Sequence, residues 1–226
     1  FKDPANATQD FRMMSSGAVE KRDVVRTDNC KSCHVNLAFH GGSRTETGVC
    51  ITCHTAGMED KLDAGNTLEF SVMIHRIHNA KHLPSVNGVH VDVDGVRNFD
   101  AGKRPYMINS TDFSEVGFPV WPNLNIAMPT ETGYSKWDAG EKSQSDEIRR
   151  GVTTCAKCHG DLNGGWTDAG PAQGLNAFTN QTRRVCGSCH DDIDWTKQYP
   201  AKHTGSAMPA NMPESACLGC HPATTG

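Results

Sequence analysis

Cys30-Lys31-Ser32-Cys33-His34 decides how this chain is read, because it recurs four times. Cys50-Ile51-Thr52-Cys53-His54, Cys155-Ala156-Lys157-Cys158-His159, Cys186-Gly187-Ser188-Cys189-His190 and Cys217-Leu218-Gly219-Cys220-His221 repeat it. All ten cysteines of the 226 residues are used and none is left over. On one helical turn, residues i, i+3 and i+4 share a face. Two thiols so placed form thioethers to the vinyl groups of one haem while the next imidazole takes its iron, the pattern of c-type haem attachment. Zinc sites pair Cys-x-x-Cys units without a histidine after every second cysteine. A thioredoxin-like motif occurs once, in a βαβ setting, and a disulfide scaffold does not hold every cysteine at one spacing. Five covalent haems are therefore expected. Cys30, Cys33, Cys50, Cys53, Cys155, Cys158, Cys186, Cys189, Cys217 and Cys220 attach them, and His34, His54, His159, His190 and His221 are their proximal ligands. Such attachment takes place outside the cytoplasm, so export is expected.

The composition agrees. Ile, Leu, Val and Phe make up 38 of 226 residues, below the roughly 20% at which a self-sufficient apolar core becomes doubtful. Disorder is the usual meaning of such poverty, but it requires a large net charge, and here the charge is −4. Porphyrins supply the missing apolar surface. With 22 Gly and 11 Pro, long regular elements are not expected. The expected fold is mainly irregular and α: short helices and loops wrapped around five haems, with little β-structure. No apolar run approaches the roughly 20 residues of a membrane-spanning helix. Lys and Arg are scattered, with short pairs at Lys21-Arg22, Arg149-Arg150 and Arg183-Arg184, so no nucleic-acid footprint exists. Phe1 opens no signal peptide, and no N-terminal Cys is present to take a lipid.

Six histidines remain once the motifs are set aside: His40, His75, His78, His82, His90 and His203. Five irons need five distal ligands, so bis-His, six-coordinate iron is expected, and methionine ligation is the poorer reading. His75 and His78 stand i, i+3 on a short helix within Ser71–Pro84 that Pro84 stops, on one face about 5–6 Å apart at Cβ. His40 precedes Gly41-Gly42, a pair suited to a helix C-cap. It lies too near motif one to reach that iron, and serves a neighbouring haem. His203 lies between motifs four and five. His82 and His90 compete for the fifth place: His82 continues the helical face, whereas His90 sits in a strand-like stretch, Val89–Val96.

Motif starts are 20, 105, 31 and 31 residues apart. One pentahaem domain over 1–226 is expected, with an N-terminal lobe over about 22–118, an insertion over about 119–148 and a C-terminal lobe over about 149–221. Asp28 and Ser215 are expected to cap the helices of motifs one and five. Ser143–His159 is the longest helical candidate, with Ser143 and Asp146 spaced as a capping box. Val116–Trp137 reads as a covering loop. Asp92-Val93-Asp94-Gly95 resembles the start of a calcium loop but lacks the remaining carboxylates, so solvated turn acids are the better reading.

An ordered series of residues points to a family. It runs Arg22-Asp-Val-Val25, Cys30-x-x-Cys33-His34-x-x-Leu37-x-x-His40-Gly41-Gly42-x-Arg44, Cys50-x-x-Cys53-His54, Val72-Met-Ile-His75-x-Ile-His78, Leu83-Pro84-Ser85-Val86 and Asp112-Phe-Ser-Glu-Val116-x-Phe118-Pro119. This resembles the pentahaem module of the OmcA/MtrC-type decahaem cytochromes of the bacterial cell surface. The resemblance covers about Arg22 to His221. It implies extracellular electron transfer through closely packed bis-His haems, to minerals, electron shuttles or other cytochromes, and distal roles for His40, His75, His78 and His203. Family members usually carry two such modules with β-rich domains between them; one module is present here. Many have a histidine just before the Asp-Phe-Ser segment, where this chain has Thr111.

The expected function is electron conduction, at the cell surface or outside the cell, with the periplasm as the alternative location and a filament of identical subunits as one form. Full ligation leaves no iron position for a substrate. The competing reading is a multihaem reductase of a small oxyanion such as nitrite. Pentahaem nitrite reductases typically replace one motif histidine by lysine, and here all five motifs end in His. Ten ionised propionates and five ferric centres would take the charge from −4 to about −9, favouring basic partners or cationic shuttles.

Overall fold

A chain rich in glycine and proline makes short helices joined by turns, and the computed structural model shows that arrangement. It describes residues 6–13, 16–62, 66–92, 97–118, 130, 133–151, 155–165, 170–180, 182–198, 210–211 and 213–214. Helices α1 (Thr27–Lys31), α2 (Thr47–Cys53), α3 (Phe70–Asn79), α4 (Ala139–Ile148), α5 (Ala156–His159), α6 (Asn176–Thr179) and α7 (Arg183–Cys189) are supplemented by 3-10 turns at Ala80–His82 and Tyr134–Lys136. Strand structure among the described residues is slight. β1 (His90–Val91) pairs antiparallel with β2 (Arg97–Asn98), and β3 (Met107–Ile108) with β4 (Thr111–Asp112). The mainly irregular and α class with little β-structure is what the composition implied.

The chain forms two units. Unit one comprises Phe1–Ala56, Thr154–Asn180 and Thr225–Gly226; unit two comprises Gly57–Thr153 and Gln181–Thr224. They differ in what holds them together. Unit two has an apolar core: Ala80, Leu83 and Tyr106 with Ile77, Val86, Ile108 and Phe113, and beside it Val89, Phe99 and Trp137 with Tyr134 and Ile148. Phe99 meets Trp137 edge-on, with ring centroids 5.6 Å apart. Truncating Trp137, which is 3% exposed, removes a buried aromatic from this cluster. Trp137→Ala is expected to cost about 3–5 kcal/mol of unfolding free energy, measured by denaturant titration. In unit one, by contrast, the buried apolar residues among those described are Ala156 and Pro171, while Val35 is 92% exposed and Phe11, Met13, Phe39 and Leu175 lie open as well.

Several local expectations are corrected. The helix expected over Ser143–His159 begins earlier and ends earlier. Asp138 is its N-cap: the Asp138 carboxylate accepts from the Glu141 amide at 2.8 Å, and the Glu141 carboxylate accepts from the Asp138 amide at 3.1 Å. That reciprocal box satisfies two otherwise orphaned donors, so Ser143 and Asp146 lie inside α4. The helix stops at Ile148, and motif three has its own helix, α5. Asp28 does not cap α1; Arg26 occupies that position without a side-chain cap, and Asp28 stands in the first turn, where the helix dipole favours an acid. Ser215 lies outside the described residues. No helix ends at His40. Phe39 and Arg44 form a bridge, and His40, Gly41 and Gly42 take φ of 51°, 76° and 84° to turn the chain between them. The two glycines are there because left-handed backbone costs them nothing. The strand expected over Val89–Val96 is described at His90–Val91, and 93–96 lie outside the described residues, as does most of the loop expected over Val116–Trp137. Trp137 itself is core rather than cover.

Candidate haem-binding site

The four described motifs share one local conformation. The amides of His34, His54, His159 and His190 each donate to the carbonyl of the first cysteine of their motif, all at 2.9 Å. That i to i+4 bond closes one helical turn and places both thiols and the imidazole on one face. His54 and His190 leave their helices with nearly the same backbone geometry, φ −81°, ψ 68° and φ −99°, ψ 64°. Motif five and His203 lie outside the described residues.

Unit one gathers three motifs that the sequence spreads over 130 positions, from Cys30 to His159. The side chain of Asn29, 4% exposed, donates from Nδ2 to the carbonyls of Gly160 at 2.9 Å, Lys157 at 3.3 Å and Asp161 at 3.4 Å. It thereby holds α1 against α5. Thr27 and Thr47 share a hydroxyl contact of 3.0 Å between α1 and α2. Asp23 exchanges backbone and side-chain bonds with Ala172 and Gln173, and the neighbouring Val24 carbonyl accepts from His159 Nδ1 at 3.1 Å. Glycines 160 and 174 sit where backbone approaches closely: an added Cβ would strike the Gly165 carbonyl and the His159 carbonyl respectively. Chain order groups motif three with motifs four and five; in space it joins motifs one and two.

Burial pushes the thiols of Cys30, Cys50 and Cys155 above their ordinary range, and that of Cys158 up to about 11. Redox-active or metal-bound thiolates have depressed values. Burial lowers the pKa of His159, against the opposing bond to Val24.

The remaining histidines divide by which ring nitrogen holds the proton. A carbonyl oxygen can only accept, so the nitrogen facing it is the protonated one. His75 Nδ1 donates to the Ser71 carbonyl at 2.6 Å and His78 Nδ1 to the Ile74 carbonyl at 2.9 Å, both one turn back on α3. His82 Nδ1 donates to the Glu147 carbonyl at 3.0 Å. In all three the proton sits on Nδ1 and the lone pair on Nε2, the arrangement of metal-ligating imidazoles. His90 is reversed. Its Nε2 donates to the Gly102 carbonyl at 2.8 Å, within the β1–β2 region, and the residue is 5% exposed. His40 faces His54 across unit one, with ring centroids 5.9 Å apart and planes inclined by 26°.

In unit two, α3 packs on α7, the helix of motif four. Arg76 donates to the Gly187 carbonyl at 3.3 Å, and Arg184 pairs with Glu69 at 3.1 Å. Asp191, directly after His190, accepts from the Ser85 amide at 3.0 Å and from its hydroxyl. Burial raises its pKa against those two bonds. Asn29 and Asp191 were not legible as positioning residues, since each is a polar residue beside a motif with no periodicity to flag it. Asp92 is exposed and Asp94 lies outside the described residues; among the described residues no cluster of three His, Cys, Asp or Glu could hold a metal ion. No helix of the described residues is long and apolar enough to cross a membrane.

Repeated Cys-x-x-Cys-His turns on short helices, with imidazoles preset for ligation, define a multihaem c-type cytochrome. The sequence model described as outer membrane cytochrome MtrC/MtrF-like, domains II/IV, matches residues 22–226. The chain belongs to that family. The multiheme cytochrome MtrC of Shewanella baltica (strain OS185) is 38% identical over 85 residues, which are 36% of this chain and 12% of that protein. Among solved structures, the outer membrane decaheme cytochrome OmcA aligns over 85% of this chain with a TM-score of 0.51 and 24% identity, so the two share a fold. MtrC from Shewanella baltica OS185 aligns over 92% of the chain, at 22% identity and a TM-score of 0.40. The chain spans 22% and 21% of the length of those two.

Proposed function

We propose that this protein passes electrons one at a time through five covalently attached haems, each held by its motif histidine and one further histidine, at or beyond the bacterial outer surface. The observation that carries the reading is the set of imidazoles at His75, His78 and His82 whose Nδ1 protons are tied to backbone carbonyls. Each haem, when bound, supplies a one-electron ferric–ferrous couple. The protein's part is to hold both imidazoles in either oxidation state, so that little reorganises as the electron moves. His40 and His54 are assigned to one iron. Their rings stand 5.9 Å apart within unit one, and these two residues would hold the iron of motif two. The left-handed turn at His40 gives its ring that position. His75 and His78 lie on the helix packed against motif four, and both are distal ligands. His82 is assigned the fifth place, because His90 spends Nε2 on a carbonyl. His203 keeps the distal role implied by its position between motifs four and five.

Electron acceptors of the classes implied by the family resemblance are other cytochromes, shuttles and minerals. With every iron six-coordinate, reduction of a bound oxyanion has no site. Intact mass and the ferric EPR spectrum test this together: five haems, all low-spin, are expected. A high-spin centre accompanied by nitrite turnover would replace the reading with a reductase. His40→Ala is expected to convert one haem per chain to high-spin. His82→Ala should convert another, while His90→Ala should convert none.

A further inference from the structure

The distal histidines do not have equivalent surroundings. His75 and His78 each face a neutral carbonyl of their own helix. His82 faces more than a carbonyl: the Glu147 carboxylate Oε1 lies 3.3 Å from the same Nδ1 that donates to the Glu147 backbone oxygen. Both groups come from the last turn of α4, and the other carboxylate oxygen, Oε2, pairs with Arg150 at 3.1 Å. The pair is sheltered, with 13% of the His82 side chain and 27% of the Glu147 side chain exposed, so solvent screens it less than it would a surface pair. On the far side of the ring, Nε2 faces Gly117, where an added Cβ would stand 3.5 Å away.

We propose that Glu147 is a potential-setting residue, holding the haem on His82 at a lower midpoint than it would have with a neutral partner. This rests on the assignment of His82 as a distal ligand. A carboxylate behind the ligand's N–H makes the imidazole more basic and strengthens its donation to the metal. The added negative charge stabilises the ferric state, which carries one positive charge more than the ferrous. His75 and His78 receive no such charge from the carbonyls that hold them. The backbone bond from His82 to residue 147 survives any substitution there, so changing the side chain alters the charge without releasing the ring. Arg150 moderates the effect from the solvent side.

Redox titration of the holoprotein, followed by haem absorbance and by ferric EPR, tests the proposal. Glu147→Gln is expected to raise the midpoint of one haem and leave the other four unmoved, with all five still low-spin. Arg150→Ala should move the same haem the other way, and Glu147→Asp should stand between wild type and Gln. Unmoved midpoints in Glu147→Gln, with five low-spin haems and a high-spin signal in His82→Ala, would overturn the role of Glu147 and leave the ligand assignment standing. Five low-spin haems in His82→Ala would overturn the assignment and the proposal with it.

Discussion

Replacing Cys30, Cys33, Cys50, Cys53, Cys155 and Cys158 by alanine, so that no haem attaches at motifs one to three, is expected to unfold unit one. Limited proteolysis mapped by mass spectrometry should then cut throughout residues 16–56 and 155–180, while the Leu83–Tyr106 and Phe99–Trp137 clusters of unit two stay protected. The reason is the distribution of buried apolar surface. Ordering each residue costs about 1–2 kcal/mol of backbone entropy alone, and burial of apolar area is the main term that offsets it. Among the described residues of unit one, only Ala156 and Pro171 are buried apolar side chains. Its exposed Val35 and Phe39 follow motif one within five residues. Equal protection of unit one with and without attachment would show that polar contacts alone sustain it.

Asn29→Asp carries the second large effect. The amide of Asn29 faces three carbonyl oxygens at 2.9, 3.3 and 3.4 Å, and a carboxylate in its place sets negative charge against three acceptors with no donor to answer them. Leaving a buried hydrogen-bonding group unmade costs about 1–3 kcal/mol, and more when it is charged. In a unit without an apolar core, that loss should separate α1 from α5. The expected result is a lower denaturation midpoint of the holoprotein, together with a changed exciton or spin-coupling signature between the haems of motifs one and three. Asn29→Ser, which keeps a donor, should lose less. An unchanged midpoint in the Asp variant would mean that covalent haem, and not this bridge, joins the two motifs.

Legibility followed the physics of each feature. The attachment motifs could be read from the chain because their chemistry is local: three residues on one turn, satisfied without help from elsewhere. The helix bearing His75 and His78 was legible for the same reason, but it ends at Asn79, and a 3-10 turn over Ala80–His82 leads to Pro84. Capping was less so. Asp138 and Glu141 form the box that starts α4, but Ser143 and Asp146 present an equally suitable spacing within the same ten residues. Which pair wins depends on where the preceding turn and Trp137 are anchored. The glycines after His40 announced a left-handed turn, but whether it ended a helix or closed a bridge between Phe39 and Arg44 was not a local matter.

By itself, the sequence determined the five Cys-x-x-Cys-His motifs, the class of cofactor they imply and the short-helix character of the fold, because motif spacing and helical phase depend on residues within one turn. It also left His82 and His90 level, since both are plain histidines at plausible spacing. Only the tertiary structure sets their ring nitrogens apart. His82 donates from Nδ1 to the carbonyl of residue 147, and His90 donates from Nε2 to that of residue 102. Tertiary structure also carried motif three back to motif one across more than a hundred residues. Those outcomes turn on which backbone oxygen arrives beside which side chain, and chain spacing holds no record of that.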